Sequence, residues 1–244
     1  MREDERQRVI RQKLARMECR AVDAIPTGFS ALDGAIGGGL PRGRIVEIFG
    51  ASSTGKTTLG LQVVAQAQQA GLSAAWLDAD HQFDPAYASK LAVDLDKLPV
   101  LQPECAEEAL EIARQLTVSG AVDLLVLDPV AALVPRMELE TALGDSGPGM
   151  QARVLSSGLR KLSATVARAG IGVLFLNQTR GGNTAENEVS AGGPGMKLYA
   201  AIRVLVQPAG RAGVRFRIVK NKVAKPFTEG ELQWAKVPGF AKTP

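Results

Sequence analysis

Eight consecutive residues have the types and spacing that hold phosphate groups. Residues 50–57 read Gly-Ala-Ser-Ser-Thr-Gly-Lys-Thr, which fits the pattern G-x-x-x-x-G-K-[ST] of a phosphate-binding loop. The glycines let successive backbone N–H groups point at phosphate oxygens, and a following helix adds the positive end of its dipole. Lys56 would neutralise phosphate charge and the Thr57 hydroxyl would coordinate Mg²⁺. The predicted nucleotide-binding residues are Gly50, Ala51, Ser52, Ser53, Thr54, Gly55, Lys56, Thr57 and Thr58.

A carboxylate is expected to face this loop and to hold a magnesium-bound water. Two apolar runs end in aspartate: LLVLD ends at Asp128, and AAWLD ends at Asp78. Ligands bind at the carboxyl edge of open α/β sheets, so both residues qualify. We place the metal role on Asp128, while the spacing leaves Asp78 as a rival. Gln178 follows another apolar run and is a neutral polar group expected at the same edge.

The elements that must position these residues alternate between strands and helices. Helical patterns cover residues 57–69, 106–116 and 151–168, and apolar strands are predicted at 73–77, 122–127 and 171–176. Strands that are apolar throughout indicate a parallel sheet covered on both faces. Residues 198–206, 214–219 and 231–234 have strand patterns without helices between them. The fold class is therefore α/β, with a central, mostly parallel sheet, helices on both faces, and antiparallel strands at the C-terminal end.

Composition narrows the class of protein further. The chain has 244 residues with 45% hydrophobic and 22% charged residues, which is typical of a folded globular protein. No apolar run is long enough for a membrane span, and the charged N-terminus is unlike a secretory signal, so we expect a cytoplasmic protein without membrane partners. Two cysteines suggest neither a disulfide framework nor a cysteine metal site. The net charge is +4, but residues 197–244 hold ten Lys or Arg against two Asp or Glu.

Over residues 25–240 the chain resembles the RecA family of bacterial recombinases. The resemblance is carried by PTGFSALDGAIGGGLPRGRIVEIFG, the phosphate loop, SGAVDLLVLDPVAALVP, GDSGPGMQAR, FLNQTR, GGPGMKLYA and VKNKVAKPF. It implies a RecA-like P-loop NTPase core at 25–244, preceded by an N-terminal helix and linker at 1–24. The small C-terminal domain of the family is expected to be absent.

The resemblance also implies roles for residues around ATP. Asp84 and Tyr87 would hold the adenine, with Tyr87 stacked on the base. Gln178 would sense the γ-phosphate and couple it to the loop that follows. Lys220 and Lys222 would reach across a subunit interface to the ATP of a neighbouring copy. Together with Lys56, these last three residues would belong to the catalytic set of a homo-oligomer or filament with ATP at its subunit interfaces.

Two irregular stretches, 142–150 and 179–195, fall where the DNA-binding loops of the family lie. The family positions that contact phosphates correspond to Arg153 and Arg160, which lie seven residues apart on one helix face. Arg180, Gly192 and Gly193 belong to the second loop. Arginines and backbone N–H groups that hold phosphates would bind single-stranded DNA without regard to sequence and with strong salt dependence.

The chain departs from the family at the catalytic carboxylate and in both loops. Asp80 replaces the glutamate that activates water, and its carboxylate is shorter by about one bond length, 1.5 Å. Slow hydrolysis is the expected consequence. Pro148 stands where the first loop has an apolar wedge. The second loop carries Glu186 and Glu188, and Val189 is its only sizeable apolar residue.

Two functions follow from this combination. The first is an ATP-dependent single-stranded-DNA-binding protein with slow, DNA-dependent ATPase activity, acting in recombination, repair and the response to DNA damage. The second is an ImuA-type accessory in translesion synthesis and SOS mutagenesis, with weak or no hydrolysis and with RecA or a translesion polymerase complex as partner. The first function is favoured by the intact residues Lys56, Asp128, Gln178, Lys220 and Lys222. The second is favoured by Asp80, the altered loops and the expected absence of the C-terminal domain.

Overall fold

An eight-stranded sheet organises the chain. The computed structural model describes Gln7 and residues 23–142, 149–179, 189–235 and 238–242, so most of the predicted N-terminal segment lies outside the described residues. Strands β1 (Ala24–Ile25) and β2 (Leu40–Pro41) form a small antiparallel pair. The large sheet contains β3 (Arg44–Gly50), β4 (Ala74–Asp78), β5 (Val100–Leu101), β6 (Leu124–Asp128), β7 (Gly172–Gln178), β8 (Ile202–Pro208), β9 (Gly213–Asn221) and β10 (Glu229–Gln233).

Helices connect most of these strands. In chain order they are α1 (Ser30–Ile36), α2 (Lys56–Gln69), α3 (Pro85–Lys90), α4 (Ala106–Ser119), α5 (Arg136–Glu140), α6 (Met150–Ala169) and α7 (Pro194–Tyr199). Single 3₁₀ turns cover Leu95–Lys97 and Val130–Ala132. Left-handed glycines end both long helices that follow α3, Gly120 after α4 and Gly170 after α6, as is usual for helix C-termini.

The strand order places the ends of four parallel strands at one edge of the sheet. The order is β10-β9-β8-β3-β7-β6-β4-β5, parallel from β8 to β5 and antiparallel from β8 to β10. In this register Gly50 lies opposite Gln178, and Asp78 lies opposite Asp128. The phosphate loop, both candidate acids and Gln178 therefore meet at the carboxyl edge.

Each face of the sheet has its own apolar core. The face covered by α1, α2 and α3 buries Val46, Ile48, Leu174 and Leu176 with side chains such as Leu59 and Val63. The opposite face buries Val173 and Phe175 under α4, α6 and α7. Because both faces are covered, the central strands are apolar along most of their length, as their sequences indicate; the buried exceptions include Glu47, Asn177 and Arg203.

The structure confirms the fold class and most of the predicted elements. The main error concerns residues 198–206, which the sequence pattern assigns to one strand. The structure ends a helix, α7, at Tyr199 and begins β8 at Ile202. Pro194 starts that helix, since a proline fits the first turn, and Met196 is buried in the core. This packing outweighs the strand-like pattern of the residues that follow.

No helix among the described residues is both long enough and apolar enough to cross a membrane.

Glycine-to-alanine substitutions at Gly60 in α2 and at Gly34 in α1 should have opposite effects on stability, because only Gly60 is packed against the sheet. A Cβ at Gly60 would lie 2.7 Å from a Leu176 methyl and 3.1 Å from the Trp76 ring, whereas one at Gly34 in α1 would meet nothing within 4 Å. Overpacking a core costs about 1–3 kcal/mol, and better helix propensity offsets up to about 1 kcal/mol of it. We expect Gly60→Ala to lower the free energy of unfolding by about 1–2 kcal/mol. Gly34→Ala should raise it by about 0.5–1 kcal/mol. Urea denaturation measures both, and equal stabilities of the two variants would contradict this packing.

Candidate functional site

The phosphate loop forms a tight turn between β3 and α2. Gly50 ends the strand, and Gly55 has the left-handed φ of 79° just before the helix begins at Lys56. A Cβ at Gly55 would also lie 2.5 Å from the Trp234 ring, so both backbone and space require glycine here. The Thr54 hydroxyl donates to the Ala51 carbonyl at 3.0 Å and braces the turn. The predicted strand–loop–helix context is therefore present.

The Lys56 ammonium lies inside the curve of this loop. Its Nζ donates to the carbonyls of Gly50 at 3.1 Å and Ala51 at 2.6 Å, and the residue is 7% exposed. A buried ammonium held by the carbonyls of the loop is a fixed positive charge beside the loop N–H groups. This arrangement suits an anion with several oxygens, such as a polyphosphate.

Thr57 and Asp128 come together as a metal-ligand pair would. The Thr57 hydroxyl donates to Asp128 Oδ2 at 2.6 Å, joining the first turn of α2 to the end of β6. Asp78, the rival acid, accepts hydrogen bonds from Gln82 N, Phe83 N and the Gln102 side chain. Since its oxygens already brace the chain after β4, the geometry favours Asp128 over Asp78.

The aspartates clustered at this edge of the sheet favour the binding of a cation. Burial raises the pKa of Asp128 to about 6; the carboxylates of Asp80 and Asp78 raise it as well, against the Thr57 hydrogen bond and the Lys56 charge. Burial, followed by the neighbouring Asp78, raises the pKa of Asp80. A divalent cation beside Asp128 and Thr57 would stabilise the ionised carboxylates. Hydroxyl and carboxylate oxygens are the ligands that Mg²⁺ prefers, so this donor set fits Mg²⁺.

One cleft of about 360 Å³ collects most of the predicted nucleotide residues. Its walls also include two residues that the sequence analysis did not assign, Pro129 and Trp234. The predicted residues lining it are Ser52, Ser53, Thr54, Gly55, Lys56, Thr57, Thr58, Asp80, Tyr87, Asp128 and Gln178. Gly50 and Ala51 lie at the start of the loop and contribute the carbonyls that hold Lys56.

The two residues assigned to the adenine have visible structural roles. Asp84 is the N-cap of α3, where its carboxylate accepts a hydrogen bond from Tyr87 N at 3.0 Å. The Tyr87 hydroxyl lies 2.8 Å from the Thr58 hydroxyl. Asp84 does not line the main cleft; it lines an adjoining pocket of about 100 Å³ together with Tyr87 and Asp80. Asp84 therefore orients the helix that presents Tyr87 to the cleft.

Trp234 is the functional candidate that the sequence analysis missed. Its ring stacks on Phe240 with centroids 4.1 Å apart. The Gln62 amide holds Phe240 in place: it donates to the Phe240 carbonyl at 3.0 Å and accepts from Phe240 N at 2.8 Å. An indole one-third exposed beside Gly55 can stack on a planar ring. No local sequence signal connects Trp234 to the phosphate loop, because Trp234 and Gly55 lie far apart in the sequence.

Lys220 and Lys222 lie away from this cleft. In β9, Lys220 pairs with Arg203 of β8, which pairs with Glu47, three residues before Gly50. That places Lys220 about 10 Å along the strands from Gly50 and two strands across. Its ammonium donates to the carbonyls of Lys197 and Leu198 in α7. Burial, followed by the charges of Lys222 and Arg203, lowers the pKa of Lys220 to about 8.

A second cleft, of about 460 Å³, lies between the start of α6 and residues 189–193. Gly192 and Gly193 line it, and both have left-handed φ angles. Arg153 and Arg160 are exposed on α6, and the first lies within one turn of the cleft. Arg180, Pro148, Glu186 and Glu188 lie outside the described residues.

Comparisons with known proteins agree with this geometry. The family model of the RecA N-terminal domain matches residues 6–240. The RecA protein of one Thermus thermophilus strain is 48% identical over 235 residues, covering 91% of this chain and 69% of the relative. That of a Chloroflexus aurantiacus strain is also 48% identical over 235 residues, covering 91% of this chain and 67% of the relative. The RecA protein of Acidothermus cellulolyticus is 50% identical over 229 residues, covering 88% and 66%. The chain therefore belongs to the RecA family.

Proposed function

We propose that this protein is a RecA-like, DNA-dependent ATPase that binds single-stranded DNA in recombination and repair. The observation that carries the proposal is the convergence of Lys56, Thr57, Asp128 and Gln178 on one cleft. Two strands and one helix contribute these groups, so the fold brings them together from separate parts of the chain. Phosphate-binding, metal-binding and polar groups lie within the reach of one nucleotide.

Different residues of the cleft bind different parts of the nucleotide. The loop N–H groups and Lys56 hold the β- and γ-phosphates, while Thr57 and Asp128 hold the magnesium. When bound, Mg²⁺ neutralises charge on the phosphate oxygens. Tyr87 and Trp234 are aromatic surfaces for the base, and stacking binds a base without reading its edge. Gln178, at the end of β7, donates its amide toward the terminal phosphate.

Asp80 is the group that we assign to water activation. It lines the same cleft as Lys56 and Asp128, and its raised pKa gives it basicity suited to accepting a proton. Its side chain is one methylene shorter than the glutamate of the family pattern, which holds the carboxylate back by about 1.5 Å. We therefore propose slow hydrolysis and a long-lived ATP-bound state.

A second copy of the chain completes the site. Because Lys220 and Lys222 lie at a distance from their own phosphate loop, they serve the nucleotide of a neighbouring subunit in our proposal. Repetition of such a head-to-tail contact generates a filament. A filament would repeat the second cleft, which Gly192 and Gly193 line, along its length. We assign the DNA phosphates to Gly192, Gly193, Arg153, Arg160 and Arg180.

Turnover of ATP with and without single-stranded DNA tests the proposal. We expect DNA to stimulate turnover by the wild type. Asp80→Glu should raise the DNA-stimulated rate by about 10–100-fold, since a displacement of ~1 Å costs on that order. Asp96→Glu, an exposed change of the same kind remote from the cleft, is the control and should leave the rate unchanged.

Two outcomes of this assay would contradict separate parts of the proposal. Equal rates for wild type and Asp80→Glu would refute slow hydrolysis through a short carboxylate. Nucleotide binding without any DNA stimulation, in either protein, would refute the DNA-dependent ATPase and favour the ImuA-type accessory. The relatives named above are RecA proteins, so the comparisons give no support to that alternative.

Intrinsic fluorescence tests the place of the base. The chain contains two tryptophans; Trp76 is buried in the core and Trp234 borders the cleft. We expect saturating Mg-ATP to change the emission of the wild type and of Trp76→Phe, but not that of Trp234→Phe. Trp234→Ala should bind ATP about 2–10-fold more weakly, as the loss of one aromatic contact predicts. An unchanged wild-type emission while equilibrium dialysis shows bound nucleotide would contradict this placement.

The salt dependence of DNA binding tests the arginines of α6. Each phosphate contact to a single strand contributes about 0.7 to the slope of log affinity against log salt. Arg153→Ala/Arg160→Ala should therefore reduce the slope by about 1.4 for oligo-dT in the presence of an ATP analogue. Arg168→Ala, in the last turn of the same helix, should keep the wild-type slope. An equal slope for all three proteins would exclude Arg153 and Arg160 as phosphate contacts.

A further inference from the structure

A cluster of buried polar side chains lies beneath the exit of the second loop. Glu47, Asn177 and Arg203 come from three adjacent strands, β3, β7 and β8, and Ser190 comes from the C-terminal part of the second loop. Their exposed fractions are 0%, 0%, 7% and 2%. The Arg203 guanidinium pairs with the Glu47 carboxylate and also covers the Phe49 ring, 4.4 Å from its centroid.

This cluster holds the chain at residues 190 and 191. Arg203 donates a second hydrogen bond to the Ser190 hydroxyl at 2.9 Å. The Asn177 amide donates to Glu47 at 2.9 Å and to the Ala191 carbonyl at 2.8 Å. The connection continues to the neighbouring residue, because Asn177 Oδ1 accepts from Gln178 N and Ala191 N donates to the Gln178 carbonyl at 2.9 Å. Residues 190–191 are thus bonded both to the cluster and to Gln178.

Fold stability alone does not require an ion pair at this position. Desolvating two charges is costly, and well-packed apolar side chains in the place of a buried pair are often neutral or stabilising. The sheet face around the cluster is apolar, with Phe49 and Phe175 nearby. What the polar groups add is directional contact with the backbone and hydroxyl of the loop exit, which apolar side chains could not supply.

The segment held in this way contacts the second cleft directly. A Cβ at Gly192 would lie 2.7 Å from a Leu155 methyl, and one at Gly193 would lie 2.5 Å from the Ala152 methyl. Residues 192 and 193 are therefore packed tightly on the first turns of α6. A displacement of Gln178 would move Ala191 through their hydrogen bond and would disturb this packing, which has little free space.

We propose that Glu47, Asn177 and Arg203 are positioning residues that lock the exit of the second loop to Gln178, so that nucleotide and single-stranded DNA bind cooperatively. The inference rests on the proposed function, because it takes the first cleft as the ATP site and the second as part of the DNA site. In this proposal, the coupling between the two clefts passes through a buried ionic cluster that contacts neither ligand.

The test removes the ion pair as a unit. Glu47→Met/Arg203→Met leaves no unpaired buried charge, so the fold is expected to survive. The quantity measured is the coupling factor, the Kd for oligo-dT with ADP divided by the Kd with a slowly hydrolysed ATP analogue. We expect the double variant to keep the wild-type nucleotide affinity and nucleotide-free DNA affinity, while its coupling factor falls at least about fivefold. Thr117→Val, a buried polar change inside α4, should keep the wild-type factor.

Ser190→Ala serves as a second variant that leaves the ion pair intact. It removes only the hydroxyl that accepts from Arg203, and we expect the coupling factor to fall about two- to threefold. Hydrogen exchange gives a readout that does not need DNA. The ATP analogue alone should protect the amides of residues 190–193 in the wild type and not in either variant.

The outcomes separate the two claims. If the wild type couples nucleotide to DNA, and folded variants couple equally well with unchanged exchange protection, the positioning role is refuted and the proposed function stands. If the wild type binds no DNA, the proposed function fails and the inference fails with it. If the wild type binds DNA equally with both nucleotides, there is no coupling to carry and the inference alone is refuted. A double variant that does not fold, together with a wild-type coupling factor in Ser190→Ala, also overturns the inference.

Discussion

The register of β3, β6 and β7 is the constraint on which the rest of the structure depends. Parallel pairing brings Gly50 beside Gln178 and ends β6 at Asp128 on the same edge. The Thr57–Asp128 hydrogen bond then ties the first turn of α2 to that edge. A slip of one residue in any of these strands would turn its side chains to the other face of the sheet and dismantle the site. Close packing of the buried side chains on both faces holds this register.

The sequence predicted the groups whose positions follow from local pattern. The phosphate loop, Asp128 and Gln178 lie at strand ends that periodicity and glycine spacing identify, and the comparisons confirm the family inferred from these residues. Trp234 could not be predicted, because its place beside Gly55 depends on the contact between Gln62 and Phe240 across 178 residues. The strand predicted at 198–206 wrongly includes the last two residues of α7, because core packing of Met196, rather than local propensity, sets that segment.

The geometry divides the functional groups between two regions of one molecule. Phosphate-binding groups, candidate magnesium ligands and Asp80 face one cleft, while Lys220 lies two strands from β3, level with Glu47, and donates to the end of α7. Between them lies the buried pair of Glu47 and Arg203, and Arg203 is the register neighbour of Lys220. In the proposed filament, each subunit would therefore bind a nucleotide at its contact with one neighbour. At its contact with the other neighbour, it would contribute Lys220 and Lys222 to the nucleotide bound there. The exit of its second loop is bonded to the buried pair, because Arg203 donates to the Ser190 hydroxyl.

Mixing two inactive variants is the measurement that tests this account most directly. Lys56→Ala disables the phosphate loop, and Lys220→Ala/Lys222→Ala removes the lysines proposed to reach the nucleotide of a neighbouring subunit. Each variant alone should therefore hydrolyse ATP poorly with single-stranded DNA. In an equal mixture, about a quarter of head-to-tail contacts join an intact loop to intact lysines. The account predicts that the mixture recovers DNA-stimulated turnover to about that fraction of the wild-type rate. A mixture as inactive as its components, with both variants assembled on DNA, would contradict a site shared between subunits.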